Sequence, residues 1–138
     1  MPPADTSALK GKKIVIVEDD TLLHNLLADK MVKLRESGVE VYPTLNAEEA
    51  LKTAREVNPD LILLDIAMPS RNGFEIIEEL RKEDRFKKTL VIILSNMNKD
   101  SDKARAKELG ISEYLVKADF SLEDISKVIT KALQGIKS

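Results

Sequence analysis

Cysteine is absent from this chain, and so is tryptophan. Without a thiol there is no disulfide framework, no thiolate nucleophile and no Cys-ligated zinc or iron–sulfur site. One histidine, His24, speaks against a multi-histidine metal centre and, more weakly, against a Ser-His-Asp hydrolase. Aromatic residues make up only 4%, so a core has to be built from Ile, Leu, Val and Ala. Neither sign of charge dominates: 22 basic against 24 acidic residues leave a net charge of −2, without the basic excess of a nucleic-acid binder. No apolar run approaches the roughly 18 to 20 residues that span a bilayer. The opening MPPADTSALKGKK contains no apolar stretch of the secretory kind. What is present is 138 residues, 43% of them hydrophobic, enough for one domain with one compact core. The expectation is a small, soluble, cytoplasmic domain with no direct nucleic-acid or membrane partner.

The apolar residues fall into a regular alternation. Residues 1–11 are polar and read as a flexible arm, residues 12–135 as the domain, and 136–138 as a tail. Lys13 to Val17 is a β-branched run, the mark of a strand buried on both faces. From Thr21 to Glu36, the residues Leu23, Leu26, Leu27, Met31 and Leu34 recur at helical spacing and predict one amphipathic helix closed by Gly38, with His24 on its outward side. Val39 to Tyr42 alternates and predicts a more exposed strand. Asn46 then caps a helix, with Glu49 at the capping-box position and Asn58-Pro59 as the stop. Leu61 to Leu64 is a strand that ends abruptly in Asp65, and a helix follows from about Phe74 to Lys82. Leu90 to Leu94 is a strand ending at Ser95, and Ser101 to Leu109 a helix closed by Gly110. Glu113 to Val116 is a strand ending at Lys117, and Ser121, with Asp124 at the box position, caps the last helix.

Strands that alternate with helices imply a parallel sheet covered on both faces. The wholly apolar first, third and fourth strands belong at its centre and the second, with Glu40, near an edge. That favours a five-stranded α/β doubly wound sheet of order 2-1-3-4-5, the flavodoxin-like three-layer α/β/α fold. In such a sheet the working crevice lies beyond the carboxyl ends of the strands, at the switch in strand order. Glu18, Asp19, Asp20 and Asp65 leave the ends of the first and third strands, and Ser95 and Lys117 leave the fourth and fifth. Two carboxylates about 6 Å apart repel by roughly 3 kcal/mol at an effective dielectric near 20. A cluster of them is therefore costly without a cation, and oxygen donors lacking imidazole or thiolate favour Mg²⁺. Asp20, directly before a helix, reads as an N-cap. Asp65, after four aliphatic residues, has no comparable structural reason to be there.

Four segments in register carry a resemblance: Val17-Glu18-Asp19-Asp20, Leu64-Asp65-Ile66-Ala67-Met68-Pro69 with Gly73, Ile93-Leu94-Ser95, and Tyr114-Leu115-Val116-Lys117. From about residue 12 to 134 the chain resembles a receiver domain of the two-component response regulators, of the chemotaxis-regulator kind. The resemblance implies that Asp65 is the phosphoacceptor, taking a phosphoryl group from the phosphohistidine of a sensor histidine kinase or phosphotransfer protein. It implies Mg²⁺ held by Asp19, Asp65 and the backbone carbonyl of Ala67, with Glu18 acting through a water. Lys117 and the Ser95 hydroxyl would neutralise and orient the phosphoryl oxygens, and Tyr114 would be the switch aromatic that follows Ser95. A downstream protein target and a homodimer formed on phosphorylation are the further partners it implies. His24 receives no role.

Three positions depart from the usual pattern. Ala118 follows Lys117 where the family has proline after a cis bond, Asn96 replaces a small residue after Ser95, and Arg71 replaces an apolar one. In the family, side chains two residues beyond the phosphoacceptor and two beyond the hydroxyl residue flank the approach of a hydrolytic water. The resemblance puts Ala67 and Met97 there, neither able to orient or deprotonate it, and so implies slow self-dephosphorylation in a regulator that is no turnover enzyme. Rival functions fit less well. A haloacid-dehalogenase-like phosphatase needs an acid where Ala67 stands, and a flavin or nucleotide binder needs a phosphate loop where Glu18-Asp19-Asp20 would repel phosphate. A stand-alone receiver is the favoured reading. A receiver cut from a longer regulator and a binding module that is never phosphorylated are the alternatives.

Overall fold

The computed structural model describes residues 9–67, 72–96 and 99–136. Strands β1 (Lys13–Val17), β2 (Glu40–Thr44), β3 (Leu61–Leu64), β4 (Leu90–Ser95) and β5 (Glu113–Val116) alternate with helices α1 (Thr21–Lys30), α2 (Val32–Glu36), α3 (Ala47–Val57), α4 (Gly73–Arg81), α5 (Asp100–Glu108) and α6 (Leu122–Gln134). The strands form one parallel sheet in the order β2-β1-β3-β4-β5, as the sequence implies. The register sets Val17 beside Leu64 and Leu64 beside Ile93, so Glu18 and Asp65 leave adjacent strands at one level.

The strand pleat separates two cores. Val15, Val17, Ile62, Leu64, Val91 and Ile93 face α3, α4 and α5, meeting Ala50, Leu51, Phe74, Ile77 and Leu80. Ile14, Ile16, Leu61, Leu63, Ile92 and Leu94 face α1, α2 and α6, meeting Leu27, Met31, Leu34, Ile129 and Leu133. Leu9 lies before the expected boundary at residue 12, yet it is buried in the second core at 1% exposure.

Local departures from the predicted elements have physical causes. The helix expected over Thr21–Glu36 is broken at Met31, whose N–H is shared between the carbonyls of Leu27 (3.1 Å) and Ala28 (3.2 Å). Met31 and Leu34 stay inside across this break, while Leu26, expected in the core, is 41% exposed. His24 is half-buried instead of outward, and its Nδ1 is buried without a hydrogen-bond partner among the described residues. Strand β2 runs to Thr44 through Pro43; a residue without an N–H is tolerated because β2 is an edge strand. Helix α2 ends in a Schellman motif in which the Val39 N–H donates to the Leu34 carbonyl and Gly38 supplies the positive φ of 93°.

The 3-10 turn Asp84–Phe86, which the periodicity does not announce, buries Phe86. Arg81 organises that region. Its guanidinium donates to the carbonyls of Phe86 (2.6 Å), Thr89 (2.8 Å), Lys87 (3.2 Å), Leu109 (3.3 Å) and Gly110 (3.4 Å). One side chain thus ties the end of α4 to the start of β4 and to the end of α5. Helix α5 needs this tie, because Ala106 is its only buried residue.

Candidate functional site

The carboxyl ends of β1, β3, β4 and β5 enclose a cavity of about 520 Å³ lined by Glu18, Asp19, Asp20, Asp65, Ala67, Ser95, Asn96 and Lys117. Each side chain is delivered by a strand that stops at the same height. Glu18 is fixed by its N–H donating to the Thr44 carbonyl (3.1 Å), and Asp65 by its N–H donating to the Val17 carbonyl (3.1 Å). Behind them the buried Thr44 hydroxyl donates to the Ile16 carbonyl (2.7 Å) and holds the end of β2 against β1.

Lys117 is the electrostatic centre of the cavity. Its ammonium lies 2.8 Å from Asp65 Oδ2 and 3.0 Å from Glu18 Oε2. Glu18 and Asp65 are only 2% and 5% exposed, so this cation offsets charge that water cannot solvate. Burial pushes the Glu18 carboxyl above the ordinary value, and its bonds to Lys117 and to the Asp20 N–H only partly oppose this. Burial alone would lower the Lys117 ammonium. Its hydrogen bonds to Asp65 and Glu18, with their charges, outweigh that effect and raise it.

The second oxygen of Asp65, Oδ1, accepts from the Ala67 N–H at 2.9 Å, which fixes the carboxylate plane. Beneath this loop passes Gly73. A Cβ there would come within 2.6 Å of Ile66 Cα and 3.0 Å of the Asp65 carbonyl, while the Gly73 N–H donates to the Ile66 carbonyl at 3.0 Å. Glycine is required by this backbone crossing, and its place in the sequence motif gives no hint of the reason.

Asp20 is the N-cap of α1, its Oδ1 accepting from the Leu23 N–H at 3.0 Å. Glu18, Asp19 and Asp65 each offer an oxygen, and these lie within 4.8 Å of one another. Three carboxylates with spare lone pairs and no nitrogen or sulfur donor form a donor set that suits a hard divalent cation. Ser95 is fully buried at the end of β4, while Asn96 is exposed at the cavity mouth. The Lys117–Ala118 peptide is trans, and a 3-10 turn over Lys117–Asp119 leads into α6. Arg71, Met97, Met68 and Pro69 lie outside the described residues.

Tyr114 pairs in register with Ile93 and is half-buried against the α4–α5 core. Burial, with the charges of Asp102 and Asp65, pushes its phenol up to about 12. The Asp102 carboxylate, from the first turn of α5, is the neighbour that sequence reasoning missed. Nothing in the local sequence distinguishes it from an ordinary helix-start acid.

Residues 14–130 match the response regulator receiver domain family. The chemotaxis protein CheY4 of Vibrio cholerae shares 26% identity at a TM-score of 0.77, over 88% of this chain and 98% of that one. The non-phosphorylated HemR receiver domain of Leptospira biflexa shares 25% at 0.79, over 92% and 98%. A LuxR-family DNA-binding response regulator of Staphylococcus aureus shares 28% at 0.75, over 88% and 98%. The strand order, the acid cluster at the strand ends and the matching of both sequence and structure agree: this chain belongs to the response regulator receiver domains of two-component systems.

Proposed function

We propose that Asp65 accepts a phosphoryl group from a phosphohistidine and that the charge it brings is read out through Ser95 and Tyr114. The observation that supports this best is the contact of a buried Asp65 with the Lys117 ammonium, in a cavity open at the strand ends. In the transfer an Asp65 carboxylate oxygen forms a bond to phosphorus as the phosphorus–nitrogen bond breaks, and the electron pair leaves with the imidazole. Such a reaction needs in-line placement and neutralisation of the phosphoryl oxygens rather than covalent help. Lys117 supplies a fixed positive charge, Ser95 a hydroxyl donor and the Ala67 N–H a further donor at the rim. Asp19, Asp65 and the Ala67 carbonyl would hold Mg²⁺, with Glu18 assisting through a water; bound there, the ion would add positive charge at the phosphoryl oxygens.

The receiver is a regulatory phosphoacceptor, and its partners are a sensor histidine kinase or phosphotransfer protein, a downstream protein and, on phosphorylation, a second copy of the chain. Among the described residues no helix is long and apolar enough to cross a membrane. Intact mass after incubation with acetyl phosphate and Mg²⁺ tests the reading. The natural chain should gain about 80 Da, the mass of one phosphoryl group on one in-line acceptor. Asp65→Asn should gain nothing, and labelling that persists in this variant would refute the assignment.

A further inference from the structure

Among the asparagines of the chain only Asn72 is followed by glycine. An asparagine side-chain carbonyl lies one five-membered ring away from the nitrogen of the next residue, and a glycine there has no Cβ to hinder closure. The pair stands where the loop after Asp65 enters α4, and an isolated antiparallel bridge sets Asn72 against Ala67. Asn72 is exposed to water, whereas Gly73 is buried. Both reacting groups are engaged in the fold. Asn72 Oδ1 accepts from the Phe74 N–H at 2.8 Å as the N-cap of α4, and the Gly73 N–H donates to the Ile66 carbonyl at 3.0 Å. The extended Asn72 backbone, with ψ 132°, also turns the Gly73 nitrogen away from the side-chain carbon.

We infer that Asn72 is a site of spontaneous deamidation that the native Asp65 loop holds closed. The Gly73 nitrogen gives up its proton to solvent base and forms a bond to Asn72 Cγ. The Cγ–Nδ2 bond breaks, and ammonia leaves with that electron pair and a proton taken from solvent. Water then opens the cyclic imide at either carbonyl, giving aspartate by one route and isoaspartate by the other. The bond to Ile66 and the cap on Phe74 must open before the ring can close, so the rate follows the population of the open loop. The two products differ in consequence. Aspartate caps a helix as well as asparagine does. Isoaspartate adds one main-chain atom directly before Gly73, at a crossing where even a Cβ would come within 2.6 Å of Ile66 Cα. That product cannot return to the native crossing, so it keeps a chemical record of each opening that led to reaction. Nothing in the reaction requires phosphorylation of Asp65.

The test holds the full chain at mildly alkaline pH, folded in buffer and unfolded in urea, and follows its peptides by chromatography and mass. In urea Asn72 should react before any other asparagine and yield both aspartate and isoaspartate. In the folded chain the same reaction should run about tenfold or more slowly, as for chemistry gated by local opening. Asn72→Ser, which retains a capping oxygen and has no amide, should yield neither product at this position. Folded chain enriched in isoaspartate should unfold at lower urea than the natural chain. Equal rates in the two states, no reaction at Asn72 in urea, or an isoaspartate chain as stable as the natural one would overturn the assignment.

Discussion

Lys117 Nζ and Asp65 Oδ2 meet at 2.8 Å, and the same ammonium reaches Glu18 Oε2 at 3.0 Å, so one cation is shared by two carboxylates that are almost out of reach of water. Lys117→Met should therefore destabilise the fold by about 1–3 kcal/mol at neutral pH, as expected when buried charged groups lose a partner. The pH dependence has a definite sign. A raised Glu18 carboxyl contributes stability that is present below its unfolded value of 4.5 and is lost as pH rises through the folded value. Lys117 lowers that folded value, so the gap between variant and natural chain should widen above it and narrow as pH falls toward 4.5. Urea unfolding across that range measures this. A gap independent of pH would show that Glu18 and Lys117 are not coupled.

Gly73 predicts a steric effect without any change of charge. In Gly73→Ala the new methyl carbon would stand 2.6 Å from the Ile66 backbone, and the loop carrying Asp65 would have to move. A loss of about 1–3 kcal/mol is expected, typical of forced backbone shifts in a packed site. Urea midpoints measure the loss, and the rate of mass gain with acetyl phosphate should fall with it. A variant of unchanged stability would mean that the crossing is looser than described.

Arg81 predicts a local effect. Arg81→Met keeps much of the aliphatic stem but takes the guanidinium donor from the carbonyls of Thr89 and Leu109, and from Phe86, which keeps only the Thr89 N–H, at a cost of about 1–3 kcal/mol. Hydrogen exchange should accelerate most in α5, which has only Ala106 buried to hold it. Uniform acceleration across the sheet would contradict the role of Arg81 as the tie.

Tyr114 predicts a titration. In Tyr42→Phe, which leaves a single phenol, absorbance at alkaline pH should report ionisation near 12 in place of the ordinary 10. Because the folded value is raised, stability from this group is intact below 10 and is lost as pH rises from 10 through 12. Asp102→Asn should bring the midpoint down, since that charge is the largest contributor after burial. An unmoved midpoint would separate the two side chains.

The sheet was legible in the sequence because residues buried on both faces leave near-continuous β-branched runs, as in Lys13–Val17 and Leu90–Ser95. Asp65 and Lys117 stood out because a charge directly after a buried strand is costly to desolvate unless an opposite charge or a ligand meets it. What stayed hidden depends on approaches between distant segments. The clearance under Ile66 at Gly73, the carbonyls gathered by Arg81 and the charge of Asp102 beside Tyr114 leave no periodic trace. The exposure of Leu26 is hidden for another reason: Leu26 and Leu27 are alike in sequence, and only packing decides which is buried.

The central strands present odd and even residues to separate layers, so the two cores can be perturbed independently of each other. Leu80 belongs to one layer and Leu133 to the other, and no residue is shared between the two clusters. Each Leu→Ala change should cost about 2–5 kcal/mol, and the double variant should cost close to their sum. A chain built this way can redraw the α1–α2–α6 side to suit a new partner while the α3–α4–α5 side stays as it was. The backbone of five strands serves as the common partition wall against which either tenant can be replaced.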